Sequence, residues 1–118
     1  MDSKLARYRT IIVDILQHYA QMPYVHPHLN PQDELEEQLL IDTQNDHYQI
    51  LNVGWEGAQR VYYPIFHLDI KDGKIWVQED ASDSDLVGKL EEQGVEKSDI
   101  ILAFHAPYTR PYTGYAVA

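Results

Sequence analysis

The stretch HLDIKDGKIWV, residues 67–77, limits the possible folds most strongly, because it contains Asp72-Gly73 between two alternating apolar runs. Asp-Gly in that setting is the strongest local signal for a two-residue β-hairpin turn. A turn of this length also fixes which residues face each other on the two strands. The predicted pairs are Lys71 with Lys74, Ile70 with Ile75 and Leu68 with Val77.

The predicted hairpin has one apolar face and one polar face, because successive side chains of a strand point to opposite sides. The face assigned to the core carries Phe66, Leu68, Ile70, Ile75 and Val77. The other face carries His67, Asp69, Lys71, Lys74 and Trp76. On that face we expect Asp69 to lie diagonal to Lys74 and to offset the charge of the two opposed lysines.

His67 and Asp69 allow two interpretations. Every second residue of a half-exposed strand must be polar, which explains both side chains without any chemistry. A catalytic or metal-binding role needs a third partner nearby, and no motif in the sequence supplies one. The sequence therefore predicts no catalytic, cofactor-binding or metal-ligating residue. The alternative is a small enzyme that uses His67 and Asp69, or His105, in a cleft.

Length and composition predict one domain spanning residues 1–118. The chain has 118 residues, 44% of them hydrophobic, which is enough material for a core without covalent staples. Cysteine is absent, which excludes disulfides, thiolate zinc sites and thiol catalysis and is typical of a reducing cytoplasm. The first residues, MDSKLARYRT, lack the apolar segment of a signal peptide, and no apolar run reaches the length of a membrane span. We therefore expect a cytoplasmic protein.

The charge of the chain disfavours direct nucleic-acid binding. Nine lysines and arginines stand against nineteen aspartates and glutamates, for a formal net charge of −10. Such a chain is repelled by phosphate backbones unless its basic residues cluster. In the sequence, Lys4, Arg7 and Arg9 form the only local basic group, and Asp2 lies beside it.

The periodicity of the rest of the chain predicts an α+β fold in the order α-β-β-β-β-α-β, with an antiparallel sheet, helices on one face and an extended C-terminal tail. Helical spacing marks residues 3–21, and Pro23 ends that helix. Two strands joined at Gln44-Asn45 pair Leu39 with Ile50 and Ile41 with Tyr48. Pro64 places the start of the third strand at an edge or bulge. The remaining predictions are a second helix capped by Ser82 or Asp83 and ended at Gly94, and a fifth strand, IILAF, at residues 100–104.

Three other groups have metal-ligand chemistry but poor patterns. Asp14 and His18 are four residues apart on the first helix, yet they lie opposite its apolar stripe. His26 and His28 are separated by proline in a loop. The acidic residues of 33–37 lack the glycine and the alternating oxygen ligands of a calcium loop. A solvent-exposed surface explains each group better than a metal.

Aromatic residues are the most informative surface feature. The chain has nine tyrosines and two tryptophans, and tyrosine, tryptophan and arginine are the residues that anchor protein interfaces. The candidate partner-binding residues are Trp55, Arg60, Trp76, Arg110 and Tyr112. The alternative is that the C-terminal tail folds over the outer sheet face and buries these rings, and a homodimer would satisfy both interpretations.

Three blocks of the sequence resemble the XisI family, the fdxN element excision controlling factors of cyanobacteria. These blocks are VGWEG, HLDIKDGKIW and the closing FHAPY-R-YT-YAVA, and the resemblance covers nearly the whole chain. It implies an accessory factor for programmed excision of a DNA element, in which a separate recombinase breaks and joins the strands. It also implies a second small protein, XisH, as the partner. The family supplies no agreed active site, so no catalytic residue is carried over, and the acidic charge favours control through protein contacts.

Overall fold

The structure is a computed structural model that describes residues 3–21, 34–81 and 85–118. Most of the predicted proline-rich loop, with His26 and His28, lies outside these residues. The two helices and five strands follow in the predicted order. They are α1 Ser3–Gln21, β1 Glu34–Asp42, β2 His47–Glu56, β3 Gln59–Lys71, β4 Lys74–Asp80, α2 Leu86–Glu92 and β5 Ile100–Leu102.

The five strands form one sheet in the order β1-β2-β3-β4-β5. The first four are joined as antiparallel neighbours, as predicted. The fully antiparallel prediction is wrong at β5, which runs parallel to β4. The cause is α2, because a parallel neighbour needs a crossover connection and this helix provides it. The fifth strand is also shorter than predicted, since it ends at Leu102 and turns follow.

Both predicted hairpins have the predicted register. Asp72 and Gly73 have φ angles of 54° and 77°, as a type I′ turn requires, and Ile70 pairs with Ile75. In the first hairpin, Leu39 pairs with Ile50 and Ile41 pairs with Tyr48.

The core lies between one face of the sheet and the two helices, and we call this the inner face. All five residues that the sequence assigned to the core of the second hairpin are buried. They pack in one cluster with the apolar stripe of α1 and with Leu86 and Leu90 of α2. The opposite side of the sheet, which we call the outer face, carries the side chains that alternate with the buried ones along the strands.

Two carboxylates join α1 to the rest of the molecule. Asp46, in the turn between β1 and β2, accepts hydrogen bonds from Arg9 Nε at 2.8 Å and from Tyr48 Oη at 2.7 Å. Asp99, just before β5, accepts one from Tyr8 Oη at 2.6 Å. Adjacent residues of the helix, Tyr8 and Arg9, are therefore tied by polar contacts to the segments that precede β5 and β2.

Helix α2 begins one turn later than the predicted caps, since Asp85 is its N-cap and accepts a bond from the Gly88 amide. Ser82 and Asp83 lie outside the described residues. A Cβ at Gly88 would stand 2.0 Å from the Asp85 carboxylate, so this glycine makes room for the cap. Gly94 follows the end of the helix, as predicted.

Pro64 lies at a β-bulge, as the sequence indicated. Leu51 pairs with Pro64 and Ile50 with Phe66, so Ile65 is the extra residue on β3. Gly54 allows another local feature, the close approach of β1, because a Cβ there would lie 1.8 Å from the Glu34 carbonyl oxygen.

The tail after β5 was predicted to be extended, but it makes turns and returns to the sheet edge. The Ala116 amide donates to the Ile100 carbonyl at 2.9 Å, and Ala116 forms a parallel bridge with Ile101. Arg110 stabilises the intervening turns by donating to the carbonyls of His105 and Ala103. None of the helices in the described part of the chain is long and apolar enough to cross a membrane.

Candidate functional site

Three side chains with metal-ligand and proton-transfer chemistry meet on the outer face. Oδ1 of Asp69 lies 2.7 Å from Nδ1 of His47 and 2.9 Å from Nε2 of His67. We call these three residues the His–Asp cluster. Among the residues that the structure describes, it is the one group of three or more histidines or acids whose ligand atoms lie within 4.8 Å of one another.

The bulge on β3 brings the cluster together. From Gln59 to Pro64, β3 pairs with β2 in the register that the turn between them sets. If that register continued along β3, His47 would lie opposite Leu68. The extra residue Ile65 shifts the pairing by one position, and His47 faces Asp69 instead. A one-residue shift exchanges the faces of a strand, so the bulge determines that a carboxylate meets this histidine.

Two glutamines complete the hydrogen bonding around the cluster. The Gln49 amide nitrogen lies 3.3 Å from Nδ1 of His67. The Gln78 amide donates to Oδ2 of Asp69 at 3.2 Å. With Gln49 donating to Nδ1, the proton of the neutral His67 ring lies on Nε2 and is donated to Asp69.

The cluster is open to solvent on the His47 side. The side chains of His47, His67 and Asp69 are 58%, 26% and 17% exposed. The hydrogen bond and the charge of Asp69 raise the pKa of His47 above its ordinary value. His47 also lines a depression on the β1 side, together with Leu40 and Asp42.

The prediction that His67 and Asp69 lack a third polar partner is wrong, because His47 supplies it. The sequence carried a usable signal in Pro64, which predicted an edge or a bulge, although the effect of a bulge on the β2–β3 register was not predicted. The predicted position of Asp69 diagonal to Lys74 is confirmed by the register, but the hydrogen bonds of Asp69 go to other residues. Asp69 bonds the histidines and Gln78, while Lys74 donates to the Ala118 carbonyl oxygen.

The other histidine candidates have different surroundings. Asp14 and His18 are exposed, as predicted, and line an open groove between α1 and α2 with Lys89 and Glu92. His105 stacks its ring against Phe104, with centroids 4.6 Å apart.

The predicted partner-binding residues fall into two groups on the outer face. In the first, which we call the Trp55 cluster, the Arg60 guanidinium lies over the rings of Trp55 and Tyr62 at 5.5 Å and 5.9 Å from their centroids. Trp55 pairs with Arg60 across β2 and β3, which keeps both side chains on one face. Trp55 is 44% exposed and Tyr62 is 64% exposed.

The second group, the Trp76 cluster, lies at the opposite end of β3. The Trp76 ring has Lys71 at 4.7 Å and Arg110 at 5.6 Å from its centroid, and its Nε1 donates to the Lys71 carbonyl. Tyr112, in the same tail turn as Arg110, is 87% exposed. The tail thus covers part of Trp76 with Arg110 and leaves the Tyr112 side chain in solvent.

The five residues therefore do not form one compact patch. Arg60 and Lys71 are at the two ends of one strand, which places the two clusters roughly 35 Å apart at about 3.3 Å per residue. In the sequence, basic residues cluster only at residues 4–9. The tertiary structure forms a second basic group, because it brings Lys71 and Arg110 together at the Trp76 ring. The outer face has cationic ends and the His–Asp cluster beside the Trp76 end.

The sequence and the fold both match known proteins. The family model for the XisI protein matches residues 1–117. The chain belongs to the XisI family. No curated protein matches it.

Two crystal structures of XisI proteins have the same fold. A XisI-like protein from Anabaena variabilis ATCC 29413 is 42% identical, with a TM-score of 0.83 over 97% of this chain and 99% of that one. The fdxN element excision controlling factor XisI from the same organism is 37% identical, with a TM-score of 0.85 over 98% of this chain and all of that one.

Proposed function

We propose that the protein is an accessory regulator of the excision of a DNA element and that it acts by binding other proteins, without catalysing the reaction itself. Its membership of the XisI family supports the regulatory role, because a relative that shares its whole fold is an excision controlling factor. The mechanism rests on the outer face of the sheet.

The observation that carries the proposal is the pair of arginine–tryptophan clusters on the outer face. The helices pack on the inner face, so these aromatic rings have no structural duty in the core. Each cluster holds a flat ring beside a guanidinium, a combination that is enriched at interface hot spots. Water leaves both groups when a partner covers them, and the gain from burying the rings favours binding.

The overall charge favours a protein partner over nucleic acid. The three cations of the outer-face clusters, Arg60, Lys71 and Arg110, belong to a chain with a formal net charge of −10. Long-range repulsion from phosphates opposes DNA binding, while a basic or neutral protein surface is not repelled. The partner that the family resemblance supplies is a XisH-like protein.

Co-expression with a XisH-like protein from the same genome, followed by size-exclusion chromatography with light scattering, tests the proposal. We expect one peak whose mass is the sum of both chains. Separate peaks, each with the mass of one protein, would contradict this partner. A peak of this chain alone at twice its mass would show a homodimer, and the surface variants described next would test whether the outer face forms it.

A neighbouring pair of tyrosines provides a matched control for the surface. Tyr62 pairs with Val53 on the outer face, whereas Tyr63 pairs with the buried Asn52 on the other side of the sheet. We expect Tyr62→Ala to weaken the complex at least tenfold and Tyr63→Ala to leave its affinity unchanged, with both variants shown to fold by circular dichroism. Equal affinities for both variants would remove the Trp55 cluster from the interface.

The two clusters are far enough apart to be tested separately. Trp76→Ala with Arg110→Ala removes one cluster, and Trp55→Ala with Arg60→Ala removes the other. A partner that spans the outer face loses affinity in both double variants, and a small partner loses it in one. Unchanged binding in both double variants would overturn the proposed surface. Binding of duplex DNA that falls steeply with salt would point to a nucleic-acid role instead.

A further inference from the structure

The His–Asp cluster has the ligand types of a transition-metal site. Two imidazoles and one carboxylate are a common ligand set for zinc and for non-haem iron, and the set leaves coordination positions open. The donor atoms come from two adjacent strands, with His47 on β2 and both His67 and Asp69 on β3. Cross-strand pairing fixes the backbone positions of all three ligands.

The distances between the donor atoms suit one small ion. Zinc binds nitrogen and carboxylate oxygen at about 2.0–2.2 Å, so tetrahedral ligands stand roughly 3.3 Å from each other. Oδ1 of Asp69 is 2.7 Å from one imidazole and 2.9 Å from the other. The side chains need to separate by only about half an ångström to admit an ion. Both imidazole nitrogens face the same carboxylate oxygen, and the three donor atoms all lie within 4.8 Å of one another.

A neighbouring side chain can orient a ligand once an ion is present. Histidine ligands usually hold their second ring nitrogen with a hydrogen bond. Gln49 occupies that position at His67, 3.3 Å from Nδ1. An amide can present its oxygen as well as its nitrogen, so Gln49 can accept from Nδ1–H when Nε2 binds the metal.

The electrostatic surroundings and the access route also suit a cation. Asp42 pairs with His47 across β1 and β2 and adds a carboxylate beside the cluster. His47 is 58% exposed and lines a depression that is open to solvent, so the cluster is accessible on that side. Hydrogen bonding alone also explains the contacts of the cluster, so the experiment must separate a polar network from a metal site.

We propose that His47, His67 and Asp69 bind one divalent transition-metal ion, such as Zn²⁺, on the outer face, with at least one coordination position open to water or to a ligand from another molecule. The site goes beyond the proposed regulatory function and does not depend on it. The cluster lies beside the Trp76 cluster, since Asp69 pairs with Trp76 across β3 and β4.

Isothermal titration of the untagged, chelator-treated full chain with ZnCl₂ tests the site. We expect one ion per chain, and we expect His67→Gln and Asp69→Asn each to weaken binding at least tenfold. Gln49→Ala should weaken it by roughly tenfold, as is usual for a residue that orients a ligand. His18→Gln and the double variant His26→Gln/His28→Gln are the controls and should bind like the parent. Unchanged affinity in His67→Gln, or loss that follows His26 and His28 instead, would overturn the proposal.

A second measurement does not require any variant to fold. Histidine ring ¹⁵N shifts of the parent protein, recorded with and without one equivalent of Zn²⁺, should move for His47 and His67 and stay constant for His18 and His105. Zinc should also raise the unfolding temperature of the parent, since an ion that binds only the folded state stabilises it. Shifts confined to other histidines would contradict the assignment.

Discussion

Two aspartates with nearly equal exposure show how differently the two faces of the sheet work. The side chain of Asp46 is 14% exposed and that of Asp69 is 17% exposed. Asp46 binds Arg9, which is 37 residues away on another element, so it holds α1 against the sheet. Asp69 binds three residues of the sheet itself, His47, His67 and Gln78. Asp46 therefore joins the helix to the sheet, whereas Asp69 joins neighbouring strands on the outer face.

The largest expected difference between the faces is in the cost of removing a leucine. Leu68 is fully buried on the inner face, and Leu68→Ala should lower the free energy of unfolding by about 2–5 kcal/mol, because it leaves a cavity. Leu40 pairs with Gln49 on the outer face and is 44% exposed, so Leu40→Ala should cost about 0.5 kcal/mol or less. Urea unfolding measures both, and similar losses would mean that the outer face is covered in solution.

The two aspartates themselves allow a sharper test. Asp46→Asn should cost about 1–2 kcal/mol, because it weakens the two-point contact with Arg9 while asparagine tolerates the φ of 60° at this position. Asp69→Asn should cost about 0.5 kcal/mol, because the amide keeps an oxygen that can accept from the histidines and the contact with His47 is open to solvent. The unfolding free energies of the two variants decide the comparison, and a larger loss for Asp69 would assign the outer carboxylate a structural role.

Alkaline pH should lower the free energy of unfolding, because the buried Tyr8 resists ionisation in the folded state. Burial and the hydrogen bond to Asp99 raise the pKa of Tyr8 above its ordinary value of 10.0. The unfolded tyrosine therefore ionises first, so the stability that Tyr8 contributes is complete below pH 10.0 and is lost as the pH rises through the folded pKa. Unfolding midpoints measured across this range should fall less steeply for Tyr8→Phe than for the parent. Equal slopes would exclude Tyr8 as the group responsible.

The smallest expected effect is that of the outer arginine. Arg60 is exposed and contacts Trp55 and Tyr62 through cation–π geometry, so Arg60→Ala should change the free energy of unfolding by no more than about 0.5 kcal/mol. Thermal unfolding at low and high salt provides the measurement. A decrease of more than about 1 kcal/mol in the free energy of unfolding would show that the Trp55 cluster stabilises the β2–β3 turn, which would contradict its assignment as a surface for a partner alone.

Local rules explain the features that could be predicted. The Asp72-Gly73 turn and strict alternation place five residues of one hairpin in the core, and each of them is buried. The same rules place Trp76 and Asp69 on the outer face, where they pair. These features depend on residues close together in the chain, so the sequence contains all the information that they require.

The candidate site could be predicted only in part, because it depends on pairing between strands that the sequence did not align. His67 and Asp69 were recognised as a pair, and Pro64 as the mark of an edge or a bulge. The presence of His47 follows from the effect of that bulge on the β2–β3 register, which shifts pairing by one residue over the rest of the strand. The five partner-binding residues were likewise predicted as one surface. The structure separates them into two clusters, because spacing along the chain does not give distance in space.

By itself, the sequence determined the two hairpins, the apolar face and the amphipathic first helix, because turn chemistry and side-chain periodicity act over a few residues. Only the tertiary structure decided that β5 runs parallel to β4, that Arg110 folds onto Trp76, and that His47 meets Asp69. Each of these contacts joins residues that are 22 or more positions apart. Their geometry comes from packing of the whole chain around one core, which no local pattern encodes.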